Sequence, residues 1–174
     1  EAVFADVPPP LRLYAYQDGQ FIPADDAAFP AIQAGQAYWI HLEGKTPISV
    51  TGDLVNPAAP ASVLLHPGWN QVACPWGWPF DWEDGQISIY NGTSTLSLTQ
   101  AKIQGWIEGD LYDYQTTSGT YAKIEPDAMV NGQMQPWKGY LLYSNIDALL
   151  QFAPPGPEQQ ILFGNLVSPK EGDV

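Results

Sequence analysis

Leu11-Arg12-Leu13-Tyr14-Ala15-Tyr16-Gln17-Asp18-Gly19-Gln20-Phe21-Ile22 is the stretch that decides the fold. Leu11, Leu13, Ala15 and Gln17 alternate with Arg12, Tyr14 and Tyr16. A period of two is that of a β-strand, whose successive side chains point to opposite faces. Asp18-Gly19 supplies the positive φ angles that close a tight hairpin. Gln20-Phe21-Ile22 then begins the return strand.

The same pattern recurs further along. Leu13-Tyr14-Ala15-Tyr16-Gln17 matches Leu111-Tyr112-Asp113-Tyr114-Gln115, and Gly19-Gln20-Phe21-Ile22 matches Gly119-Thr120-Tyr121, with Ile124 close behind. Ala34-Gly35-Gln36-Ala37-Tyr38-Trp39-Ile40 matches Pro136-Trp137-Lys138-Gly139-Tyr140-Leu141-Leu142. The offset runs from 98 (Leu13 to Leu111) to 102 (Tyr38 to Tyr140), as loop insertions produce. That is too long for a solenoid repeat of roughly 20–50 residues. It predicts one β domain over residues 1–174 with two related halves, about 11–55 and about 62–153.

Within the first half, Ala37 to Leu42 and Ile48 to Thr51 read as strands. In the second, Gly139 to Tyr143 and Leu149 to Phe152 repeat that logic. Ser62 to Leu65 precedes a Pro67-Gly68 turn, and Trp69 to Ala73 reads as a buried strand ended by Pro75. Ser97-Leu98-Thr99-Gln100 has the form of a capping box, predicting a short helix near 97–104 stopped by Gly105. Beyond Pro154, Pro155 and Pro157 a last strand is expected at about 160–167. Many short strands separated by turn residues predict an all-β sandwich or barrel-like module.

Composition excludes several classes. Charged residues are only 14% of the 174, against roughly 25% in an ordinary soluble domain. With 22 aromatic residues (7 Trp, 9 Tyr, 6 Phe) this is no disordered acidic chain. Six cations against 19 acids, a net charge of −13, cannot neutralise a row of phosphates, so nucleic acid is not a partner. No apolar run is long enough for a membrane-spanning helix. The single Cys74 makes no intramolecular disulfide and reads as a small buried hydrophobe. A chain opening on Glu1, poor in Lys and Arg, is expected to be a mature or excised fragment of an extracellular or cell-surface protein. Asn91-Gly92-Thr93 is a glycosylation sequon that reads better as a turn.

Pro67-Gly68-Trp69-Asn70, a proline-ended strand, Ser97–Gln104, Gly105-Trp106-Ile107, Leu111-Tyr112-Asp113-Tyr114 and Pro136-Trp137-Lys138-Gly139-Tyr140 follow in this order. The order resembles the "GWN…GYW" β modules of large secreted and cell-surface bacterial proteins. The resemblance covers about residues 62–153, and its second part recurs at 11–51. The last Trp of the motif is Leu141 here, though the first copy keeps Trp39, and the first copy lacks a leading GWN segment. The resemblance implies a non-catalytic module with neighbouring domains and carries no ligand or site residue.

The densest feature is Pro75-Trp76-Gly77-Trp78-Pro79-Phe80-Asp81-Trp82. Its prolines disfavour regular structure, so a surface loop is expected. An indole stacks on the C–H face of a pyranose while neighbouring polar groups take the hydroxyls. Trp76, Trp78, Trp82 and Asp81, with Trp137 after Pro136, therefore form a candidate glycan-binding set. The competing reading folds these rings back onto the core. Tyr14/Tyr16 and Tyr112/Tyr114 put their rings on one strand face as a further platform, or as sheet packing. Trp39, Trp69 and Trp106 are expected in the core. Asp81, Glu83 and Asp84 gather hard oxygen ligands suited to Ca²⁺, though without the EF-hand spacing. Glu83, Glu108, Asp110 and Glu125 offer carboxylates for glycoside hydrolysis, as any acidic chain does. No G-x-S-x-G elbow, zinc set or phosphate loop is present.

Two roles follow. One is a non-catalytic extracellular module that binds carbohydrate through exposed Trp, with a polysaccharide or glycan as partner. The other is a structural, adhesive or self-assembling module that pairs through its strand edges.

Overall fold

The computed structural model describes residues 12–42, 55–56, 58–126, 132–154 and 156. The strands expected at 48–51 and about 160–167 lie outside them. The elements run β1 (Arg12–Gln17), β2 (Gln20–Pro23), β3 (Trp39–His41), β4 (Ala61–Leu65), β5 (Gly68–Ala73), β6 (Phe80–Asp81) and β7 (Ile87–Tyr90). They continue with β8 (Thr95–Ser97), α1 (Leu98–Ile103), β9 (Ile107–Gln115), β10 (Thr120–Ile124), β11 (Gln133–Met134), β12 (Gly139–Ser144) and β13 (Ala148–Phe152). The fold is all-β and sandwich-like with one short helix among the described residues, the predicted class.

Two four-stranded antiparallel sheets, ordered β10-β9-β12-β5 and β4-β13-β7-β8, share one core. Alternation decides which side chains enter it. Val63 and Leu65 of β4, Ile87 and Ile89 of β7, and Leu150 and Phe152 of β13 meet Val72, Leu111, Tyr140 and Leu142 of the opposite sheet. The helix closes the core with Leu98 and Ala101. Its start is the predicted cap, with Ser97 accepting from the Gln100 N–H. It stops as a Schellman motif: the Gly105 N–H donates to Lys102 and the Trp106 N–H to Ala101.

The three-stranded sheet β2-β1-β3 meets β5 through β1, where the Tyr16 N–H donates to the Gln71 side-chain oxygen. Asp18 and Gly19 both take positive φ in the hairpin turn, as read from the sequence. Gln36 forms a bridge to Val72, and Ala73 donates to the Gly35 carbonyl, so the stretch before β3 flanks the free edge of β5. The strand registers follow the sequence match residue for residue. Leu13 pairs Ile40 and Tyr14 pairs Trp39. At the matching positions Leu111 pairs Leu142 and Tyr112 pairs Leu141. Tyr16 likewise faces Phe21, as Tyr114 faces Tyr121.

Candidate functional site

The Trp-rich loop 75–82 turns inward. Trp82 is fully buried and Trp76 only 3% exposed, both inside the main core. The Trp82 Nε1–H donates to the Gly109 carbonyl at 2.8 Å. Trp78 lies parallel on Trp76, with ring centroids 5.9 Å apart, and is packed against the core. Phe80 and Asp81 form β6 and pair with Gln133 and Met134 of β11, tying the loop down as a plug at one end of the sandwich. The expected exposed platform of Trp76, Trp78 and Trp82 is thus corrected. Three indoles so close in sequence are more stable buried together than wet, since each ring removes roughly 150–250 Å² from water. The Cys74 thiol donates to the Trp78 carbonyl, and burial pushes its pKa up to about 11.

The expected Ca²⁺ set is corrected as well. Among the described residues no three His, Cys, Asp or Glu side chains form a metal-holding group. Asp81 accepts from the Gln133 side-chain amide, and Asp84 accepts from the Thr99 N–H in the first turn of α1. Asn91 accepts from the backbone N–H of Thr93 and of Ser94, so the sequon forms a turn.

The open aromatic surface lies elsewhere, where sheet β2-β1-β3 faces the outer side of β9, β12 and β5. It follows from strand alternation. Leu111 and Asp113 point inward on β9, so Tyr112 and Tyr114 point outward. Leu142 and Tyr140 point inward on β12, so Leu141 and Tyr143 point outward. The rings form a continuous series across the two sheets. Tyr16 meets Phe21 at 5.0 Å between centroids, Phe21 meets Trp39 at 6.4 Å, Trp39 meets Tyr114 at 5.6 Å, and Tyr114 meets Tyr121 at 5.2 Å. Trp69 adds edge contacts to Tyr112 and Tyr143.

These rings enclose a cleft of about 670 Å³ lined by Tyr16, Phe21, Trp39, Trp69, Tyr112, Tyr121, Leu141 and Glu108. A second compartment of about 360 Å³ shares Trp39, Tyr112, Tyr121 and Leu141 with it, and adds Gln71, Gln115, Thr116, Thr117 and Trp137. Apolar faces with a few convergent amides and hydroxyls are the make-up of a small-ligand site. Trp39 and Trp69 were expected in the core; both are partly open and line the cleft. The paired tyrosines of β1 and β9 carried the signal, since both fall on one strand face. Trp106 packs against the core as expected.

Turn chemistry places Trp69. The Asn70 side chain accepts from the His66 N–H and donates to the His66 carbonyl, closing the turn between β4 and β5. That holds Asn70 inward and leaves Trp69 on the cleft face.

The two buried acids of β9 are paired with lysines. A register irregularity between β9 and β12 brings Asp110 inward. There Lys102 at 2.8 Å and Lys123 at 2.9 Å hold it. Burial pushes the Asp110 carboxyl up, but the two ammonium groups outweigh it and keep its pKa below the ordinary value. Lys138 pairs with Asp113. Comparison of the chain with protein-family models, curated proteins and solved structures gave no match.

Proposed function

We propose that this protein is a non-catalytic extracellular module that binds carbohydrate in the cleft between β1–β3 and the outer face of β5, β9 and β12. The observation that carries the reading is the unbroken series of aromatic rings along an open cleft. Pyranose C–H faces stack on such rings, and Gln71, Gln115, Thr116 and Thr117 suit the hydroxyls between them.

Absence of catalysis is supported by where the acids sit. Glycoside hydrolysis requires two carboxyl groups about the scissile bond. In the 670 Å³ compartment, the inner of the two because the exposed Trp137 lines the other, Glu108 is the carboxylate among the described lining residues. Asp110 and Asp113 are buried and paired with lysines, unsuited to proton transfer at a sugar. The sequence resemblance to secreted bacterial modules supports a place on a cell surface or in a secreted protein.

The test is retention on insoluble cellulose, xylan and β-1,3-glucan, followed by affinity electrophoresis. The parent is retained on at least one of them. Trp39→Ala weakens binding about tenfold or more, as loss of a central aromatic anchor does. Trp78→Ala, which alters only the packed loop, leaves binding intact wherever circular dichroism shows it folded. Failure of the folded parent to bind any glycan overturns the reading. Self-association by strand edges, seen as concentration-dependent sedimentation with no glycan retention, would favour the structural role instead.

A further inference from the structure

One residue bears on which glycan the cleft accepts. Trp137 is 92% exposed and has φ of +62°. A bulky side chain at positive φ is an outlier, and such placements concentrate at functional positions. An exposed indole gains little from burial in return. Among the described residues no ring stacks on it.

The sequence match puts Gly35 at the equivalent position of the other half, and Gly35 also has positive φ, +83°. A Cβ there would lie 2.7 Å from Val63 Cγ2, so no side chain fits. The left-handed turn therefore belongs to the local chain path that precedes β3 and β12 alike, and glycine is its unstrained occupant. The second half carries the largest side chain at this point and directs it to solvent. Fold stability gives no reason for that choice; contact with a ligand does.

The surroundings say which ligand. Trp137 stands in the wall of the outer compartment beside Thr116 and Thr117. That compartment adjoins the inner one, with Trp39, Tyr112, Tyr121 and Leu141 lining both. Two adjoining compartments suit a chain of sugars better than a single ring. Lys138, the cation lining the outer compartment, is committed to Asp113, whose side chain is only 8% exposed. Glu108 lines the inner one, and the chain as a whole carries −13. No free cation among the lining residues meets an acidic polymer, and the molecule's own field repels one.

We infer that the cleft takes an uncharged linear glycan and that Trp137 clamps its outer end. This rests on the carbohydrate reading above and adds chain length, charge and one anchoring residue to it.

The experiment is titration calorimetry with dimers and hexamers of the cello-, xylo- and laminari- series, with a polygalacturonate hexamer alongside. For the series that binds, the hexamer binds about tenfold or more tightly than the dimer, a typical effect of one aromatic anchor. Trp137→Gly removes that gain, lowering hexamer affinity far more than dimer affinity, while the midpoint of thermal unfolding stays level or rises. Trp137→Tyr restores part of the gain. Polygalacturonate does not bind. Equal binding of dimer and hexamer, unchanged hexamer affinity in Trp137→Gly, or preference for polygalacturonate overturns this inference and leaves the carbohydrate reading standing. No binding by any neutral or acidic oligomer removes both. A fall in thermal stability of Trp137→Gly would instead assign the indole a packing role.

Discussion

At the residue scale, burial separates structural aromatics from those available for recognition. Trp82 illustrates the first kind. Its indole fills the core end and its Nε1–H satisfies the carbonyl of Gly109, a residue whose absent side chain lets Lys102 approach. Trp82→Ala creates a large cavity and leaves that carbonyl unpaired, so it destabilises by about 3–5 kcal/mol in urea unfolding. A loss below about 1 kcal/mol would contradict this account of the loop as a plug. Composition marks residues 75–82 as unusual, yet says nothing of direction. Whether a Trp-rich loop folds in or out depends on the void it can fill, and that void is made by residues far away in sequence. Trp137 was legible as a turn residue after Pro136; its left-handed backbone was not, because only glycine advertises positive φ in a sequence.

At the element scale, β9 organises the electrostatics. Its irregularity against β12 accompanies an inward Asp110, and α1 and β10 each supply a lysine to that carboxylate. The folded-state pKa of Asp110 is depressed by these partners. Its contribution is therefore present above the ordinary carboxylate pKa and lost as pH falls through the lower folded value. Stability should decline on acidification, and Asp110→Asn should flatten the part of that decline due to Asp110. At neutral pH the variant loses about 1–2 kcal/mol, a modest figure because both lysines are partly exposed. Denaturant midpoints measured across the acid range check this; an acid limb identical to the parent's would contradict it. The helix between Ser97 and Gly105 was legible to within a residue or so, because its start and stop signals are local. The paired tyrosines gave the strand faces for the same reason. The use of Trp39 and Trp69 was not legible, since strand alternation assigns a face without saying whether another sheet covers it.

At the scale of the whole molecule, two sheets build a core and a third leans on the outer face, leaving aromatic rings lining an open cleft. The sequence match between halves anticipates the equal registers of β1 with β3 and of β9 with β12. It does not anticipate that the stretch before β3 flanks the free edge of β5, which depends on packing between halves. That placement, rather than the Trp-rich loop, creates the proposed site. The seven tryptophans divide accordingly into cleft-lining Trp39, Trp69 and Trp137, and core-packed Trp76, Trp78, Trp82 and Trp106. Their indole N–H signals in a nitrogen–proton correlation spectrum report on both groups at once. On titration with the neutral hexasaccharide that binds, the signals of Trp39, Trp69 and Trp137 shift saturably while those of Trp76 and Trp82 stay in place. Shifts confined to Trp76, Trp78 and Trp82, with the cleft signals unmoved, would contradict it.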